Sequence, residues 1–175
     1  MAGCKKTIQK SEIIAVKDFG DDVFVEISVH KTQCLLKINA DSNARLRESH
    51  IVCQTEDEAN ICKDELARFI RTGDSNNLKW YIGMDYDDIR KFFFGKELQF
   101  FHYKEDLSAI DDLAKKINAQ FSKDSDLLIY VESTHSGIAI FDRLHFSRWL
   151  QFSDIEKTTT EIKVSIWHNA TEKAD

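Results

Sequence analysis

A chain of 175 residues with 42% hydrophobic and 31% charged side chains is sized to bury a core and keep a well-hydrated surface. Its net charge of -6 disfavours non-specific grip on nucleic acid, which needs Lys and Arg to displace counterions, and docking on an anionic membrane. No stretch approaches the ~20 apolar residues that span a bilayer, and no apolar run follows Met1, so the expected location is the cytoplasm.

Cys4, Cys34, Cys53 and Cys62 form no C-x-x-C pair and read as reduced thiols, two or three of them in the core. Proline is absent, so no rigid linker divides the chain. One α+β domain over residues 1–175 is expected, with 1–10 and 170–175 as flexible tails.

Ile13 to Val16 is a short apolar run, and Gly20-Asp21-Asp22 is a turn. Val23, Val25, Ile27 and Val29 then alternate with Phe24, Glu26, Ser28 and His30, the period of a half-buried antiparallel strand. Thr32 to Ile38 returns beside it. Asp41 to Ser49 reads as a loop with one helical turn. Thr55 and Glu58 form a capping box that opens a helix, with Ala59, Cys62, Leu66, Phe69 and Ile70 on one face and Gly73 as terminator.

Leu78, Trp80, Ile82 and Met84 alternate as a strand, after which Asp85 caps a short helix that reaches Phe94 and stops at Gly95. Leu98 to Tyr103 is a strand with Phe100 on one face and Phe101 and Tyr103 on the other. Asp106 caps a helix striped by Leu107, Ile110, Leu113, Ala114, Ile117 and Phe121. The unbroken apolar run Leu127 to Val131 suits a strand covered on both faces, completing a β-α-β unit. Phe141 to Phe152 fits strand and helix alike, and Ile162, Val164 and Ile166 mark a closing strand. The expected fold is α+β: an N-terminal antiparallel strand meander followed by a mixed sheet packed against two or three helices.

Chemistry-bearing patterns are sparse. No G-x-G-x-x-G, G-K-[ST] or G-x-S-x-G occurs, and the histidines show no zinc spacing, so neither cofactor nor metal is expected. Glu161-Ile162-Lys163 resembles the E-x-K half of a restriction-type nuclease site, with Asp154 or Asp142 as the further carboxylate. Asp85, Asp87 and Asp88 offer hard oxygens to Mg²⁺, although helix capping explains them as well. Glu132 to Gly137 places serines, a threonine and a histidine after the buried strand, and Arg143, His145 and Arg148 form a small cationic group. No catalytic residue is assigned.

Acid interleaved with large rings is the stronger pattern. Trp80, Tyr86, Asp85, Asp87 and Asp88, extended by Asp111 and Asp112, are the expected partner-binding residues, because carboxylates steer and aromatics anchor. The expected function is a non-enzymatic acidic protein-binding module, an inhibitor or immunity-type protein neutralising a basic enzyme or toxin. The alternatives are a small metal-dependent nuclease or phosphodiesterase, and a regulatory subunit or homodimer. The expected partner is a basic protein, with no direct nucleic-acid or membrane contact.

Overall fold

The computed structural model describes residues 10–18, 21–39, 47–72, 91–93, 95–147 and 149–170. The alternating N-terminal segment folds as expected into β1 (Lys10–Asp18), β2 (Asp21–His30) and β3 (Gln33–Asn39), all antiparallel. A fourth strand, β4 (Arg47–Val52), joins antiparallel to β3 and takes Arg47 to Ser49 out of the expected loop, whose residues 41–46 lie outside the described residues. Its polar residues hid it: Ser49 is fully buried, and its hydroxyl donates to the Phe93 carbonyl, which satisfies it without apolar surroundings.

Helix α1 (Glu56–Thr72) starts at the capping box. Thr55 Oγ1 accepts the Glu58 N–H at 3.1 Å, while the Glu58 carboxylate reaches back to the Gln54 N–H at 3.3 Å. Lys91 to Phe93 are helical, and Gly95 follows at φ +68°, a left-handed position that favours glycine. Phe92 and Phe93 are buried in the core. The strand expected at Leu78 to Met84 and the cap at Asp85 lie outside the described residues.

Strand β5 (Glu97–Asp106) pairs parallel to β4. Asp106 accepts the Ser108 N–H at 2.9 Å to open a 3₁₀ turn, Leu107–Ala109, that continues as α2 (Ile110–Gln120). Next come β6 (Leu127–Ser133), the short helix α3 (His135–Ile138), a 3₁₀ turn (Ala139–Arg143), β7 (Trp149–Ile155) and β8 (Glu161–Asn169).

The eight strands form one mixed sheet in the order β1-β2-β3-β4-β5-β8-β6-β7. The expected β-α-β unit is split, because β8 lies between β5 and β6 and pairs antiparallel to both. A helix thus connects two strands that never touch, and the closing strand occupies the sheet interior.

Each face has its own core. Ala59, Cys62, Leu66, Ala67 and Ile70 of α1 pack on β1 to β5 and reach Trp167, Leu128 and Tyr130. On the opposite face, Leu113, Ala114 and Ile117 of α2, with Ile140 and Phe141, cover only the β5-β8-β6-β7 half through Ile129, Val131, Ile162, Val164 and Ile166. Cys34, Cys53 and Cys62 are buried together as free thiols under α1, and burial first, then the neighbouring thiols, pushes the Cys62 pKa up. The outer face of β1 to β4 has no element over it among the described residues. Ile13 is 67% exposed there, Phe24 47% and Val52 49%.

Candidate functional site

Strand register assembles a polar patch beneath one flank of α1. His102 of β5 lies opposite Ser165 of β8, which lies opposite Tyr130 of β6. One step along, Lys104 lies opposite Lys163, which lies opposite Glu132, itself paired with Asp154 of β7. Alternation aims these side chains at the helix. Glu65 and Arg68, three residues apart on α1, meet them.

At the centre is a three-residue network. The Glu65 side chain is only 7% exposed, and its Oε1 lies 3.9 Å from His102 Nδ1. Ser165, fully buried, lies beside them: its Oγ is 2.9 Å from His102 Nδ1. Glu65 Oε2 is buried without a hydrogen-bond partner. Burial, with Glu132 adding to it, raises the Glu65 pKa from 4.5 to about 7, against the opposing effects of Ser165, Arg68 and Lys163. Burial and then the Lys163 charge lower that of His102. Near pH 7 Glu65 is therefore poised between its protonated and ionised forms beside an uncharged imidazole.

Beside it, Arg68 Nη1 donates to the Tyr130 hydroxyl at 3.3 Å and to Glu132 Oε2 at 3.0 Å. The Tyr130 bond is the main reason the guanidinium pKa is raised, and burial raises that of the phenol.

His102 also lines an open cleft of about 260 Å³ between the start of α1 and the end of α2. Gln54 and Glu58 form one wall, Lys116 and Gln120 the other, and Phe101 and Tyr103 complete the lining. Tyr103 donates to Gln120 Oε1, burial pushes its pKa up to about 12, and the Lys116 ammonium sits 5.5 Å from its ring centroid. Strand β4 pairs with β5 only as far as Val52 and Gln99, so beyond that the β5 edge has no strand beside it among the described residues.

The E-x-K residues also find company. Glu161 and Lys163 line a cavity of about 110 Å³ with Glu132, Glu156 and Thr159. Asp154 sits across β6 from Lys163 and is not in that lining, while Asp142 is exposed on the 3₁₀ turn. Cations already attend two of the carboxylates: Arg68 pairs with Glu132 at 3.0 Å and Lys104 with Glu161 at 3.6 Å. Among the described residues no three His, Cys, Asp or Glu side chains are grouped to hold a metal ion.

Of the expected partner-binding residues, Asp111 and Asp112 are exposed on the first turn of α2, and Asp111 accepts from Arg143 Nε at 2.6 Å. Trp80, Tyr86, Asp85, Asp87 and Asp88 lie outside the described residues. Ser133 does not meet an imidazole but donates to the Glu161 carbonyl at 2.8 Å, and Thr134 caps α3. Glu65, His102 and Ser165 escaped the sequence reading because each is a lone polar residue on an apolar pattern. Only register across β5 and β8 and the placement of α1 unite them.

No helix among the described residues is long and apolar enough to cross a membrane. No protein-family model matches the chain, and no curated protein is significantly similar to it.

Proposed function

We propose that this chain is a non-enzymatic protein-binding module of the cytoplasm that engages a basic protein, as an inhibitor or immunity-type protein would. The observation that carries this reading is the outer face of β1 to β4, over which no element lies among the described residues. Ile13 and Phe24 lie exposed on adjacent strands there, with Val52 at the far side, and large apolar side chains supply anchoring area.

The charge around them suits a cationic partner. Glu26 lies directly opposite Ile13 in the register, and the neighbouring Lys37 is already paired with Glu48 at 3.6 Å. The net charge of -6 adds a long-range attraction that speeds encounter. Asp111 and Asp112 contribute to that field, and the segment with Trp80, Tyr86, Asp85, Asp87 and Asp88 is offered as a second contact.

The nuclease alternative draws on Glu132, Glu161 and Lys163 around one cavity. It is the weaker reading because Arg68 and Lys104 already neutralise two of those carboxylates.

Affinity capture from the source organism at low and high salt tests the proposal, using the wild-type chain, Phe24→Asp, and a triple charge reversal at Asp85, Asp87 and Asp88. The expected result is one basic protein retained at low salt, released as salt rises over the Debye range, and lost with Phe24→Asp. Retention that ignores salt and both variants would refute the reading. A wild-type dimer in light scattering that Phe24→Asp dissociates would assign the face to self-association instead.

A further inference from the structure

The cleft beside His102 carries a different inference from the open sheet face. Its two walls present opposite charges that do not satisfy each other: Glu58 on α1 and Lys116 on α2 line the same space, yet no ion pair joins them. Among the described residues the Glu58 carboxylate accepts only the Gln54 N–H, and the Lys116 ammonium rests over the Tyr103 ring without a carboxylate partner. Gln54 and Gln120 add amide groups that both donate and accept.

The volume sets the scale of an occupant. About 260 Å³ falls just below the ~300–1,000 Å³ of pockets for drug-sized ligands, which sets the scale of a small polar metabolite. That is the size of a free amino acid. A ligand bearing an ammonium and a carboxylate matches the walls, whereas a pure anion meets Glu58 and a pure cation meets Lys116.

We propose that this cleft binds a small zwitterion of the free amino acid class, its ammonium on Glu58 and its carboxylate on Lys116 and the Gln120 amide, against the part of the β5 edge that has no strand beside it among the described residues. His102 contributes at the border of the site. Its Nδ1 is held by Ser165.

Isothermal titration of the full chain with each of the twenty free L-amino acids tests this. The best binder is then repeated as its N-acetyl and methyl-ester derivatives. At least one amino acid should bind more tightly than about 1 mM, and loss of either ligand charge should weaken it about tenfold or more. Glu58→Gln keeps a side chain that serves in a capping box, and Lys116→Met keeps the apolar stem, so both should fold and both should lose about tenfold in affinity. Amide shifts of Gln54, Tyr103 and Gln120 on titration locate the ligand independently. Absence of binding by all twenty, or binding that survives both variants and both derivatives, overturns the proposal.

Discussion

Glu65 combines burial, a side-chain oxygen with no hydrogen-bond partner among the described residues, and an imidazole 3.9 Å away. The folded pKa of about 7 lies above the ordinary 4.5, so the folded protein binds this proton more tightly and stability falls as pH rises from 4.5 to about 7. At about 1.4 kcal/mol per unit, the loss is on the order of 3 kcal/mol. His102 acts oppositely: its lowered value means that stability falls as pH drops below its ordinary 6.5. Glu65→Gln should therefore be more stable than wild type at pH 8 by about 1–3 kcal/mol, with the gap closing toward pH 5. Urea unfolding at the two pH values measures it, and an equal gap at both would show that Glu65 is not held protonated. This site was illegible in the sequence, since residues 65, 102 and 165 share no local pattern. The thiols behave alike: no sequence spacing joins Cys34, Cys53 and Cys62, yet β3, the end of β4 and α1 bring them together.

Elements whose stability is local were the legible ones. Thr55, Glu58 and the apolar stripe after them announced α1 because capping and helical periodicity act within a few residues. Thr55→Ala should cost about 1 kcal/mol, read as a lower urea midpoint, because it orphans the Glu58 N–H. Thr55→Ser should restore most of it. Strand β4 was not legible for the converse reason. Its polar Ser49 is buried by virtue of a carbonyl from a distant residue, Phe93, and no alternation rule anticipates that. The stretch from Phe141 to Phe152 defied a single period because it is two elements, a 3₁₀ turn holding Phe141 and a strand from Trp149.

Across the whole molecule, α+β class and the antiparallel meander followed from composition and alternation, while strand order did not. Alternation says which face a residue takes, not which strand lies beside it. The unbroken apolar character of Leu127 to Val131 did imply an interior strand, and β6 is covered on both faces by α1 and by the α2 layer. Hydrogen exchange should rank the strands accordingly: amides of β8, between two antiparallel partners, slowest, and those of the edge strands β1 and β7 fastest. Uniform exchange across the sheet would contradict this order. The central position of β8 also bears on synthesis. As the chain emerges, the meander can zip through neighbouring hairpins at once, but β5 and β6 must wait with facing edges unpaired until the last strand of the sheet is made and slots between them. A polypeptide halted before residue 161 would present two sticky borders, so chaperone dependence should concentrate in that interval.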